Sequence, residues 1–124
     1  MLEEQMLEKK IWAVVGASEN PEKFGCKIYK KLKSEGYTVY PVNPNYKTID
    51  GETCYSSLSA LPEKPDVVDM VVAPRHGKDV IIEAAKLGIK NIWFQPGTYN
   101  EEILGIAREN NLNIVQGCVL VALK

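Results

Sequence analysis

Short apolar runs alternate with segments of helical periodicity along most of this chain, and this alternation restricts the possible folds more than any other feature. The runs are two to six residues long and are rich in β-branched or aromatic residues. This composition is typical of strands buried on both faces of a parallel sheet. Helical segments between such strands indicate an α/β architecture. The predicted strands are Ile11–Val15, Tyr37–Tyr40, Val67–Val72, Asn91–Phe94 and Ile114–Val115.

We therefore expect a Rossmann-like, doubly wound, five-stranded parallel sheet between two helical layers. The 124 residues suit a single domain spanning 1–124. The expected strand order, counting the five predicted strands along the chain, is 3-2-1-4-5. A short helix is expected near Ser57–Leu61, and the apolar end Gly117–Leu123 is interpreted either as an edge strand or as a contact with another subunit.

Charge and composition exclude several classes of protein. The 15 basic and 16 acidic residues give a net charge of −1, which argues against binding to nucleic acid. No run approaches the about 18 apolar residues that a membrane-spanning helix needs. The acidic start lacks the pattern of a secretion signal, so we expect a cytoplasmic protein. Three widely spaced cysteines and one histidine do not predict a metal site.

Ligands of doubly wound sheets bind beyond the carboxyl ends of the strands. Four segments of this sequence follow strands directly, and all of them carry glycine, proline or small residues, which let a ligand approach the backbone. They are Gly16–Ser18, Pro41–Pro44, Ala73–Arg75 and Gln95–Gly97.

The segment after the first strand has the features of an anion site. Gly16 permits a sharp turn, Lys23 supplies positive charge, and Gly25 leaves room beside the backbone of the following helix. The free N–H groups at the start of that helix favour a phosphate. The alternative is that Gly16 only makes a tight turn, with Ser18 and Lys23 in solvent.

The same segment departs from the dinucleotide fingerprint G-x-G-x-x-G. Ser18 occupies the position of the second glycine. The end of the second strand carries Asn43 and Pro44 rather than the acidic residue that binds the ribose of NAD. An adenine nucleotide still fits these segments, whereas NAD is disfavoured.

Several of these segments resemble the small CoA-binding domain proteins, which are related to the N-terminal domain of the succinyl-CoA synthetase α subunit. The resemblance extends from about Ile11 to Cys118. The matching pieces are Val15–Gly25 (VGASENPEKFG), Gly36–Asn45 (GYTVYPVNPN), Gly51–Leu58 (GETCYSSL), Pro65–Val71 (PDVVDMV), Trp93–Gly97 (WFQPG) and Asn100–Glu102 (NEE).

This resemblance implies coenzyme A as the ligand and assigns parts of it to particular residues. The diphosphate would be surrounded by Gly16, Ala17, Ser18, Lys23, Phe24 and Gly25. The adenosine would contact Val42, Asn43, Pro44, Val72, Ala73 and Pro74. The ribose phosphate would meet Lys47 and Arg75, and the pantetheine arm would follow Phe94, Gln95 and Pro96.

The resemblance does not carry ligase activity over to this chain. In the synthetase the phosphorylated histidine lies in a further domain that has no counterpart in these residues. Here His76 is interpreted as a capping or ligand-lining residue rather than a base, Cys26 as a buried thiol rather than a redox site, and Glu101 and Glu102 as acidic residues that stabilise a helix start.

The expected function is therefore binding of coenzyme A, or of an acyl-CoA, without a catalytic site of its own. One alternative is the CoA-holding subunit of an acyl-CoA synthetase that another chain completes. The other is an NAD(P)-binding redox protein. The expected partners are the small-molecule ligand and either a second copy of this chain or a partner subunit.

Overall fold

The computed structural model describes residues 1–123, and it confirms the alternation of strands and helices. The helices are α1 (Leu2–Leu7), α2 (Phe24–Ser34), α3 (Pro74–Lys86), α4 (Glu101–Glu109) and α5 (Val119–Ala122). The strands are β1 (Ile11–Val15), β2 (Thr38–Val42), β3 (Thr48–Ile49), β4 (Glu52–Thr53), β5 (Val67–Met70), β6 (Asn91–Phe94) and β7 (Asn113–Gln116). The helix expected near residue 57 is a 3-10 turn, Leu58–Ala60.

Five parallel strands form one sheet with a hydrophobic core on each face, so the predicted three-layer α/β fold is confirmed. Alternate residues of β1 supply the two cores. Ala13 and Val15 face α3 and α4, whereas Trp12 and Val14 face α1, α2 and α5. This two-sided burial explains why β1 is almost continuously apolar.

The expected strand order was wrong. The sheet has the order β2-β1-β5-β6-β7, so Val67–Met70 lies at its centre and β2 lies at its edge. Two features of the sequence fit the observed order. All four residues of β5 are buried, as a central strand requires, and Pro41 within β2 lacks the N–H that an interior strand would need. The order reverses between β1 and β5, and this is where a ligand cleft is expected.

A two-stranded hairpin, β3 and β4, interrupts the connection between β2 and β5 and was not predicted. Its turn residues, Asp50 and Gly51, both have positive φ (54° and 78°). Asp-Gly is a strong signal for such a turn, but the flanking strands have only two residues each, too few to show an alternating pattern.

Val119–Ala122 forms a helix, so the edge-strand alternative for Gly117–Leu123 was wrong, and the alternative of a contact with another subunit stays a prediction. Trp93 Nε1 donates a hydrogen bond to the Gly117 carbonyl (2.8 Å), and α5 then folds back over the sheet with Val119 buried. Among residues 1–123, no helix is both long and apolar enough to cross a lipid bilayer.

Asp69 is a charged residue in the middle of the central strand, and its side chain is fully buried. Its register neighbours are Val14 and Trp93 on the adjacent strands. Oδ1 accepts a hydrogen bond from Gln95 Nε2 (2.7 Å), while Oδ2 has no hydrogen-bond partner. Burial raises the pKa of Asp69 from 3.8 to about 7, against the opposing effect of the Gln95 hydrogen bond.

We predict that Asp69 makes folding stability depend on pH between about 4 and 7. Because the folded-state pKa is raised, the protonated form contributes stability that is fully present below pH 4 and is lost as the pH rises through about 7. Asp69→Asn keeps an oxygen for Gln95 but cannot ionise. The free energy of unfolding of this variant, relative to the wild type, should therefore rise by about 2–3 kcal/mol between pH 5 and pH 8.

Urea denaturation of both proteins at pH 5, 6, 7 and 8 measures this difference, and Asp79→Asn on an exposed position of α3 is the matched control. A constant difference between wild type and Asp69→Asn across these pH values would contradict the assignment.

Candidate functional site

A cleft with two lobes lies beyond the carboxyl ends of the strands, where the strand order reverses. The first lobe, of about 390 Å³, is bounded by the ends of β1 and β2, the 3-10 turn and α3. The second lobe, of about 550 Å³, is bounded by the start of α2 and by the segments that follow β5, β6 and β7. The residues shared by both lobes are Gly16, Asn43 and Val72.

Gly16 forms the junction between the lobes, and its position requires glycine. Its φ is +103°, and a Cβ there would lie 2.9 Å from Cγ1 of Val72. Its N–H donates to the Val42 carbonyl (2.9 Å), which extends the pairing of β1 with β2 by one residue. The chain therefore turns away from the sheet directly beneath the cleft, without a side chain to fill it.

Gly25 packs the first turn of α2 against this junction. A Cβ at Gly25 would lie 2.0 Å from the Gly16 carbonyl oxygen, which is closer than any side chain allows. The N-cap residue of α2, Lys23, makes no side-chain hydrogen bond to the helix. The first N–H groups of this 11-residue helix therefore have no side-chain cap, and Lys23, Phe24 and Gly25 all line the second lobe.

Ser18 and Ala17 lie inside the segment that connects β1 to α2, and both are buried. Ser18 Oγ accepts a hydrogen bond from the Asn20 N–H (3.0 Å) and lies 3.2 Å from the Tyr46 hydroxyl oxygen. Neither residue lines a lobe of the cleft. The predicted contact of both residues with a diphosphate therefore stays a prediction, while the observed contacts of Ser18 support the loop.

Asn43 connects the end of β2 to the same loop. Its Nδ2 donates to the Ala17 carbonyl (2.8 Å), and its Oδ1 accepts from the Asn45 N–H (2.9 Å). Both ends of the amide are thus occupied within the protein. Its neighbours Val42 and Pro44 line the first lobe, as does Asn43 itself.

The basic residues predicted to bind phosphate differ in their positions. Lys23 is exposed and lines the second lobe. Lys47 and Arg75 are also exposed but line neither lobe, and Arg75 Nε lies 3.2 Å from Nε2 of His76. Pro74 begins α3 outside both lobes, whereas Ala73 lines the second. Lys23 is therefore the basic side chain that the cleft geometry favours.

The segment after β6 contributes to the second lobe in a different way from the one predicted. Phe94 is fully buried in the core, and the Gln95 side chain points into the protein, where it contacts Asp69. Gln95, Pro96 and Thr98 nevertheless line the second lobe. The Gln95 carbonyl accepts hydrogen bonds from Thr98 N–H (3.1 Å) and Thr98 Oγ1 (2.7 Å), which closes a tight turn there.

Sequence reasoning missed two groups of lining residues. In the first lobe, Val80 and Glu83 were missed; they lie at helical spacing from His76, which was interpreted as a capping or ligand-lining residue, and this periodicity was a usable signal. Glu83 also binds the 3-10 turn, since its carboxylate accepts from Ser59 Oγ (2.6 Å). In the second lobe, Cys118 follows β7 at the same edge as the other strand ends.

The lining of the cleft includes His76 and Glu83 in the first lobe and Cys118 in the second, whereas the other two cysteines lie outside both lobes. Cys26 is buried behind the first turn of α2, and burial raises the pKa of the Cys54 thiol. Within residues 1–123, no cluster of three or more His, Cys, Asp or Glu side chains is arranged to hold a metal ion. The described arrangement provides a space, free N–H groups and a lysine, which are features of binding.

We predict that Gly25→Ala disrupts the fold at the cleft because the added methyl group would overlap the Gly16 carbonyl. The free energy of unfolding should fall by about 2–3 kcal/mol. Gly105→Ala in α4 is the matched control, since nothing lies within 4 Å of its added Cβ. This control should be neutral or stabilising by up to about 1 kcal/mol, as measured by urea denaturation. Equal effects of the two variants would contradict the close packing at Gly25.

Several known proteins are similar to this chain in sequence or in structure. Subunit alpha of an ADP-forming acetate–CoA ligase II from Pyrococcus furiosus is 36% identical over 81 residues, covering 64% of this chain but 18% of the ligase subunit. The uncharacterized protein YneT of Bacillus subtilis is 27% identical over 98% of this chain and 90% of its own length. A conserved hypothetical protein from Pyrococcus furiosus superimposes with a TM-score of 0.87 at 44% identity, covering 91% of this chain and 98% of its own.

A family model covers nearly the whole chain. Residues 10–124 match the model of the CoA binding domain, which includes both lobes of the cleft and all the strands of the sheet. The chain spans only about a fifth of the ligase subunit that it resembles. With the fold, the cleft and the family match in agreement, this chain belongs to the CoA-binding domain family.

Proposed function

We propose that this protein binds coenzyme A or an acyl-CoA in the two-lobed cleft and has no catalytic site of its own. The observation that carries the proposal is the junction at Gly16, where two lobes meet above the reversal of strand order and beside the uncapped start of α2. A long ligand with a central diphosphate fits such a site. The family match independently supports coenzyme A as that ligand.

We propose a location in the cleft for each part of the coenzyme, following the family resemblance and the lining of the two lobes. The diphosphate would lie at Gly16 and Gly25, near the N–H groups of α2 and the charge of Lys23. The adenosine would occupy the first lobe beside Val42 and Pro44. The pantetheine arm would then follow the second lobe toward the segments after β6 and β7.

A second candidate function is the CoA-holding part of an acyl-CoA synthetase that another chain completes. The relation to an ADP-forming acetate–CoA ligase subunit supports it, since this chain corresponds to a small share of that subunit. In that case turnover would require catalytic groups from a partner. The NAD(P) alternative receives no support from the site, because Asn43 and Pro44 occupy the end of β2 where a ribose-binding acid is expected.

The place of action proposed for this protein is the cytoplasm. Cys26, Cys54 and Cys118 are all free, as is usual for proteins kept in a reducing compartment.

We expect the purified protein to bind coenzyme A but not NADH. Mass spectrometry of the supernatant after denaturation should detect CoA or an acyl-CoA, and the acyl group would identify the reaction class served. Added CoA at 100 times its Kd should stabilise the fold by about 2.7 kcal/mol and raise Tm, whereas NADH should leave Tm unchanged. The proposal would be refuted if NADH alone raised Tm, or if neither CoA nor NADH changed it.

We predict that Lys23→Glu weakens CoA binding about tenfold, because it replaces the positive charge at the second lobe by a negative one. Isothermal titration calorimetry measures the change in Kd. Lys30→Glu is the matched control, since Lys30 is exposed on the same helix and does not line the cleft. If both variants weakened binding equally, the effect would reflect net charge, and the diphosphate would not lie at the start of α2.

A further inference from the structure

A buried chain of hydrogen bonds connects the central strand to the wall of the second lobe. Asp69 Oδ1 accepts from Gln95 Nε2 (2.7 Å), and Gln95 Oε1 accepts from the N–H of Val119 (3.2 Å). Asp69, Gln95 and Val119 are all buried. The Gln95 amide therefore joins β5 to the first residue of α5.

Gln95 and Val119 of this chain belong to segments that line the cleft. The Gln95 carbonyl holds Thr98 in the turn that lines the second lobe. On the other side, Val119 follows Cys118, which lines the same lobe from the start of α5. The Gln95–Thr98 turn and the start of α5 are thus both attached to Gln95. The Gln95 side chain itself need not contact the ligand.

We propose that Asp69 and Gln95 are positioning residues that hold the Gln95–Thr98 turn and helix α5 together as one wall of the ligand cleft. The influence of this wall on affinity rests on the proposed function. The coupling of the two segments does not, and it can be measured in the free protein.

The ionisation of Asp69 gives this coupling a distinctive signature. Hydrogen bonds to a charged acceptor are stronger than those to a neutral one, so the chain is tighter when Asp69 is ionised. The neighbours of Asp69 on the adjacent strands are Val14 on β1 and Trp93 on β6, its hydrogen-bond partner Gln95 follows β6, and none of these three residues is charged. Burial raises the pKa of Asp69, the Gln95 hydrogen bond opposes this rise, and no other charge contributes.

The first test removes one hydrogen bond of the chain. Val119→Pro deletes the N–H that Gln95 accepts, at the first position of a helix, where proline is well tolerated. Val119→Ala keeps the N–H and truncates the side chain, and so serves as the matched control. We expect Val119→Pro to weaken CoA binding about fivefold relative to Val119→Ala in calorimetry. Equal Kd values for the two variants would overturn the role of the hydrogen bond.

The second test uses pH and does not depend on whether Val119→Pro folds. The ratio of Kd at pH 6 to Kd at pH 8 should be about threefold larger for the wild type than for Asp69→Asn. The titration of CoA itself is common to both proteins and cancels in this comparison. Identical ratios would overturn the proposal that Asp69 acts on the cleft.

Amide hydrogen exchange of the free protein separates this inference from the proposed function. The Thr98 N–H donates its hydrogen bond to the Gln95 carbonyl and not to any residue of α5. In Val119→Pro, or in Gln95→Met if the proline variant is unfolded, Thr98 should lose protection together with the amides of Ala122 and Leu123. If the wild type fails to bind CoA but Thr98 responds in this way, the coupling stands and the CoA proposal falls. If Thr98 keeps its full protection while α5 opens, the coupling is refuted.

Discussion

The close approach of α2 to the end of β1 is the contact on which the rest of the cleft depends. The Gly25 backbone lies so near the Gly16 carbonyl that no side chain fits between them. With this contact in place, the first residues of α2, Phe24 and Gly25, line the second lobe. Because the helix start has no side-chain cap, its first N–H groups are available to an anionic ligand.

Several other features keep this contact in place. The Asn43 amide connects β2 to the Ala17 carbonyl, and the Ser18 hydroxyl joins Asn20 and Tyr46. The β3–β4 hairpin adds a further support, since the Asp50 N–H donates to Glu19 Oε1 (2.7 Å). The family resemblance implies that Ser18 and Asn43 contact the ligand. Both side chains instead form hydrogen bonds within the protein, and these bonds set the shape of the loop. The ligand would then be bound largely by backbone groups, as expected where glycine and proline dominate the strand ends.

The opposite wall of the cleft is organised around a buried polar group rather than a backbone contact. Burying Asp69 with one unpartnered oxygen lowers the stability of the fold at neutral pH. An apolar residue at this place in β5 would avoid that loss, but it would leave the Gln95 amide without its partner. In the proposed coupling, the Asp69 carboxylate lowers stability but helps to fix the position of the Gln95–Thr98 turn and of α5.

The local elements were well predicted because their causes are local. The β1 and β6 strands agree with their predicted limits, and Asn100 accepts a hydrogen bond from the Ile103 N–H as an N-cap. The unpredicted hairpin has strands of only two residues, so no periodicity identified it. The strand order failed for a different reason. Pro41 agrees with the observed edge position of β2, but the order itself depends on which strands meet after the chain has crossed the sheet.

The sequence by itself determined the α/β class, the strand ends that carry glycine and proline, and the family resemblance, because each of these resides in neighbouring residues. Only the tertiary structure decided which side chains face the cleft. Lys23 lies at its rim while Lys47 and Arg75 lie outside it, and Gln95 turns inward to Asp69, 26 positions away in the chain. Side-chain direction at a strand end depends on what packs against it, and for Gln95 that partner comes from another strand and from the last helix.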